Sequence, residues 1–228
     1  MAVRIITDST CDIMREDQER MGIQVIPLTV NFSDASYADG VDITNEQFFE
    51  KLEVSKNLPT TSQVTPLTFV DAFSQSINEG DDVVGIFLSG DISGTYQAAC
   101  MAKETIGSDR IHIVDSRNAT LALALLVAEA VKHRDTGSSA VDIAELVNSL
   151  TPKVRLMAMM GTLKYLHKGG RLSLAQTVIG EALGVKPLAS IIDGKVTAIG
   201  KARGIPAVVL SSTRSVLQGY PASMNAQM

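Results

Sequence analysis

Ser89, Ser93 and Thr95 bracket two glycines in LSGDISGTYQAAC (residues 88–100), where an apolar run gives way to a helical one. The start of a helix leaves backbone N–H groups without intrahelical acceptors, and its dipole favours negative charge. Ser93 and Gly94 sit at such a start. A second hydroxyl-rich loop, Thr60, Thr61 and Ser62, also precedes a helix. Two such loops could hold a carboxylate without any cation. Ser, Thr and Gly are equally the residues of caps and turns, and spacing alone favours that account slightly. Arg171, in HKGGRLS, offers a planar fork for carboxylate or phosphate; a surface salt bridge explains it about as well.

Other chemistries find less support. Ser93 lies in GDISGT, which is not the G-x-S-x-G elbow of a serine hydrolase. Of the three histidines, His112 alternates with apolar neighbours, His133 sits in a charged run, and His167 stands at a helix end, where it is more often a cap than a base. Neither G-x-x-x-x-G-K-[ST] nor a well-placed G-x-G-x-x-G is present, which disfavours nucleotide binding. Asp8, Asp12 and Asp115 could converge on a metal, yet an Asp after a strand commonly caps the next helix, so no metal is expected.

The elements that must carry these residues alternate. VRIIT reads as a strand followed by a helix from Asp12 to Met21, and QVIPLTVNF as an extended segment bent at Pro27. Thr44 caps a helix through NEQFFEKLE, LPTTSQVTP is a loop, and Pro66 opens a helix running to Glu79. DVVGIFLS and RIHIVDS are strands, each followed by a polar turn and a helix. Strand, turn and helix in repetition predict a parallel α/β sheet, and TDST, LSGDISGT and VDSRNAT should then cluster on one sheet edge. A further strand begins near Val154, TLKYLHK is a helix stopped by Gly169 and Gly170, and IIDGKVTAIG is a hairpin turning at Asp193-Gly194. The predicted organisation is an N-terminal α/β domain over residues 1–153 and a smaller domain over residues 154–228.

Composition narrows the partners. The 228 residues carry a net charge of -5, which opposes nucleic-acid binding unless a local basic patch exists. Cys11 and Cys100 fit no zinc spacing and make no disulfide framework, so a reduced, cytoplasmic protein is expected. ATLALALLVAEAV is shorter than the ~20 residues a membrane span needs and reads as a buried helix.

Taken in order, IITDSTCD, PLTVNF, DGVDIT, LPTTSQVTP, IFLSGDISGTYQAA, IHIVDSRNAT, LKYLHKGGRLS and GVKPL…DGKV…KAR resemble the DegV family of bacterial fatty-acid-binding proteins, from about Val3 to Arg203. The resemblance implies a two-domain α/β fold with a long-chain fatty acid buried between the domains. It implies a lipid carrier rather than an enzyme, without a cofactor. The carrier presents its ligand to a separate fatty acid kinase, whose acyl phosphate feeds phospholipid synthesis. By position, Thr61 and Ser93 match the hydroxyls that hold the carboxylate, with Ser62 and Gly94 beside them. Arg171 matches a basic residue at the pocket mouth where the kinase docks, and Lys201 and Arg203 a basic pair on the same side. The alternatives are a small-molecule hydrolase or transferase on this scaffold, using Ser93 with the Asp8 and Asp115 turns, or a non-functional remnant.

Three departures from the family pattern carry expectations of their own. Gly90 stands where a second serine is usual, so a donor is lost. Ala122 and Ala124 replace a glycine pattern, which narrows or reroutes the tail cavity. After Arg203 the ending matches none of the family's longer domain, so the second domain is expected to be truncated.

Overall fold

A computed structural model describes residues 2–172 and 185–203, and the chain separates into two compact units, Met1–Val154 and Arg155–Met228. The first unit runs β1 (Val3–Asp8), α1 (Arg15–Met21), β2 (Ile23–Ile26), β3 (Thr29–Asn31), β4 (Ser36–Ala38) and α2 (Asn45–Val54). It continues with β5 (Thr60–Ser62), α3 (Pro66–Asn78), β6 (Asp82–Phe87), α4 (Thr95–Ile106), β7 (Ile111–Asp115), α5 (Thr120–Asp135) and α6 (Ala140–Leu150).

Continuous apolar runs make strands that need cover on both faces, and a parallel sheet supplies it. The sheet here has the order β2-β1-β6-β7 and every pairing is parallel. Alternation then divides the core. Ile5, Val84, Ile86 and Val114 face Leu123, Leu126 and Val127 of α5 and Ile143 and Val147 of α6. Ile6, Val83, Phe87 and Ile111 face Phe69 and Phe73 of α3 and Ala98, Ala99 and Ala102 of α4. The three alanines let α4 lie close to the sheet.

A small antiparallel sheet, β4-β3-β5, packs Val30, Phe32 and Ile43 against Tyr37 and Phe48. Its helix α2 begins with a capping box, the Thr44 hydroxyl accepting from the Gln47 N–H and the Gln47 side chain accepting from the Thr44 N–H.

In the second unit, β8 (Met157–Met159), α7 (Lys164–Lys168), β9 (Val185–Ile192) and β10 (Lys195–Arg203) give an antiparallel sheet of order β10-β9-β8. The β9–β10 hairpin turns at Asp193 and Gly194, whose φ values of 49° and 80° suit Asp-Gly.

The α/β class is thus as read from the sequence, with several local corrections. LPTTSQVTP is not all loop, because Thr60–Ser62 pair with β3 as an exposed edge strand. The extended run around Pro27 is two strands in two sheets; proline has no N–H to continue a ladder, and the chain changes partner there. The first helix begins at Arg15 rather than Asp12, since Asp12 holds a left-handed φ of 54°. The strand expected near Val154 lies at Met157–Met159. Helix α5 is buried on one side only, with Leu121 and Leu125 71% and 53% exposed. The ending beyond Arg203 lies outside the described residues.

Candidate functional site

The strand order places a topological switch point between β1 and β6: the chain leaves β1 towards β2 on one side and leaves β6 towards β7 on the other. Open parallel sheets bind ligands in the crevice beyond the carboxyl ends of such strands. The three polar turns meet there. Asp8, at the end of β1 and fully buried, accepts from the Leu88 N–H at 2.8 Å and from the Thr10 N–H and hydroxyl at 3.0 and 2.5 Å. The Ser89 N–H reaches the Asn118 carbonyl at 2.8 Å. Asp115, ending β7, accepts from the Gly90 N–H at 3.3 Å and the Arg117 N–H at 2.8 Å. Burial pushes the Asp8 carboxyl above its ordinary range, and burial with the neighbouring Asp39 and Asp8 does the same for Asp12.

Ser93 and Gly94 stand at the start of α4 as expected. The half-buried Ser93 Oγ lies 3.0 Å from the buried Thr95 hydroxyl and accepts the Thr95 N–H at 3.3 Å. The N–H groups of Tyr96 and Gln97 follow in the first turn and have no acceptor among the described residues. Burial, the Cys100 thiol and Asp115 together push the Tyr96 phenol up to about 12, so it is a neutral donor at physiological pH.

The second hydroxyl loop comes to the same place by an unexpected residue. Thr61 is exposed and pairs with Val30; Ser62 Oγ accepts from Asn31 Nδ2 at 2.9 Å, tying β5 to β3. The contact with α4 is made by Gln63. A Cβ on Gly94 would collide with the Gln63 carboxamide, standing 2.8 Å from its Cδ and 3.1 Å from its Nε2. Sequence reading missed Gln63, whose only signal is the glycine at Gly94, read there as loop chemistry rather than as room for a neighbour. Gly90 is crowded in the same way. A Cβ there would stand 2.7 Å from Gln97 Nε2 and 3.2 Å from Asp115 Oδ2, so a serine would require Gln97 to move.

The basic residues lie in the second unit. Arg171 follows α7 in a Schellman ending: the Arg171 N–H reaches the Leu166 carbonyl at 3.1 Å and the Gly170 N–H reaches that of His167 at 3.0 Å, with Gly170 at φ 71°. The Arg171 guanidinium donates to the Gly169 carbonyl at 2.7 Å. Lys201 and Arg203, two apart on β10, project from one face of the strand.

Acid–base hydrolysis gains nothing from this arrangement. His112 lies within β7, opposite Val84, and burial lowers its pKa. Among the described residues no three His, Cys, Asp or Glu side chains gather closely enough to hold a metal ion, and no helix is long and apolar enough to cross a membrane.

The result is an open α/β sheet with hydroxyls and helix-terminal amides gathered at its switch point, a candidate site for an anionic group. Residues 2–218 match the family model described as "Uncharacterised protein, DegV family", and the chain belongs to the DegV family. That match runs past Arg203, where the sequence reading ends the resemblance. A DegV domain-containing protein of Clostridium perfringens is 36% identical over 207 residues, 91% of this chain and 74% of its own length. One from Caldanaerobacter subterraneus is 39% identical over 202 residues, 89% of this chain and 72% of its own. Among solved structures, a fatty-acid-binding DegV family protein from Thermus thermophilus superposes with a TM-score of 0.85 at 32% identity, over 95% of this chain and 78% of that one. DegV of Bacillus subtilis, described as a fatty acid binding protein, gives 0.81 at 31% identity over 95% and 77%.

Proposed function

We propose that this chain binds a long-chain fatty acid, with the carboxylate held by Thr61 and Ser93, and presents it to a separate fatty acid kinase. The observation that carries the reading is the meeting of two hydroxyl-bearing segments at the switch point of a fold whose Thermus relative is described as binding fatty acid. Gly94 contributes backbone rather than side chain, and Ser62, bonded to Asn31, braces the strand that carries Thr61.

The physics divides the work. Each buried CH₂ is worth about 0.8 kcal/mol, so a tail of about a dozen methylenes supplies on the order of 10 kcal/mol gross. A hydrogen bond to a charged group adds only ~1.5–3 kcal/mol. The tail sets affinity and the hydroxyls set which end faces out. A carboxylate seated on hydroxyls and amides keeps its nucleophilic lone pairs available to a phosphate, as one clamped by a buried salt bridge would not. Phosphoryl transfer belongs to the kinase, and Arg171, Lys201 and Arg203 are the cations assigned to docking it.

Mass spectrometry of lipid extracted from purified protein tests the reading. About one fatty acid per chain is expected. In Ser93→Ala, uptake should weaken by about tenfold with the fold intact. A folded parent protein that neither carries nor takes up fatty acid would overturn the assignment.

A further inference from the structure

We propose that Gln63 determines the head-group charge this site accepts, its carboxamide serving as a neutral donor beside Ser93. The inference rests on the fatty-acid reading above and deepens it.

Three observations converge on this side chain. Gln63 directly follows β5, two residues after Thr61. Its carboxamide reaches Gly94, the residue after Ser93, with the oxygen nearest and the nitrogen further out, in space that any other residue type at 94 would fill. That carboxamide makes no hydrogen bond with another described residue, so its two N–H donors are open to a ligand. Gln63 is thus the physical link between the two hydroxyl-bearing segments, and it carries uncommitted donors at their junction.

Its neutrality matters because the surrounding turns carry two carboxylates, Asp91 and Asp115, against one guanidinium, Arg117. Asp91 is ion-paired with Arg117 at 3.7 Å, and Asp115 is held by backbone N–H groups beside Gly90. A ligand carboxylate arriving at Ser93 approaches these charges and needs donors that bring no further negative charge. A carboxamide supplies them, whereas a carboxylate of the same shape at position 63 would repel the ligand. A long-chain alcohol, uncharged, is indifferent to that difference.

The experiment compares equilibrium binding of radiolabelled palmitate and hexadecanol to the full chain and to Gln63→Glu and Gln63→Met. Circular dichroism confirms folding; Gln63 is exposed, so both variants should fold. In Gln63→Glu, palmitate binding should fall by about tenfold or more while hexadecanol changes less than about twofold. Gln63→Met, which keeps bulk but removes the donors, should cut the palmitate preference by a few-fold. Equal losses for both ligands would mark a merely structural role and overturn the proposal, as would unchanged palmitate binding in Gln63→Glu. A parent protein that takes up neither ligand overturns the fatty-acid reading and this inference with it. A parent that prefers palmitate, with variants that keep the preference, overturns this inference alone.

Discussion

The two units differ more in charge than in size. Met1–Val154 carries 11 Lys and Arg against 23 Asp and Glu, a net of -12; Arg155–Met228 carries 9 against 2, a net of +7. The overall -5 is the small remainder of two opposed halves. The difference teaches that whole-chain charge describes neither. The acidic half holds the candidate head-group site, whose hydroxyls at Thr61 and Ser93 and carboxamide at Gln63 are all neutral. The basic half holds Arg171, Lys201 and Arg203, and its surface suits an anionic macromolecular partner through long-range attraction. On the proposed reading, ligand and partner chemistry fall in different parts of the chain.

The strongest way to break this comparison is to empty the core of the acidic half. Phe87 is fully buried, its ring 4.8 Å from Phe69. Phe87→Ala should cost about 3–5 kcal/mol in denaturant unfolding and abolish fatty-acid uptake at temperatures where the parent protein is folded. Charge reversal in the basic half should act on the partner alone. Lys201→Glu with Arg203→Glu is expected to lower turnover with the kinase by about tenfold while leaving bound fatty acid per chain unchanged. The parent's turnover should itself fall between 0.05 and 0.3 M salt as the attraction is screened.

Two smaller effects sharpen the picture of the acidic half. Thr44→Ala removes the capping box of α2 and should cost about 1 kcal/mol in the same unfolding assay. The last effect is one of slope. Burial raises the Asp8 carboxyl above its ordinary 3.8, so the folded state holds that proton more tightly than the unfolded chain does. Its stabilising contribution is complete below 3.8 and is lost as pH rises through the raised value. Asp8→Asn lacks that loss. Its stability relative to the parent protein should therefore improve as pH climbs from about 4 towards neutrality, read by unfolding at several pH values.

Much of the scaffold could be read from residue order. Runs such as DVVGIFLS, bounded by polar turns, announce buried strands, and Thr44, Pro66, Gly169-Gly170 and Asp193-Gly194 each act through local backbone chemistry that needs no distant partner. What escaped was non-local. Thr60–Ser62 is a polar, exposed triplet that becomes a strand because β3 offers it an edge, some thirty residues earlier in the chain. Helix α5 is apolar all round from Leu121 to Ala128, so that stretch has no periodicity to say which face is covered. Of the site, the hydroxyls at 61 and 93 were visible as residue types. The contact between Gln63 and Gly94 was not, because it joins residues far apart in sequence through a side chain that is simply absent.

The small sheet has one more lesson. The chain departs the main fold at Leu28 and returns at Val64, and both side chains are sunk in the same apolar cluster beside α3. Everything between them, β3, β4, α2 and β5, is an insert stapled at its two ends. Two anchors in one apolar cluster fix where the insert, with Thr61 on β5, leaves the main sheet and rejoins it.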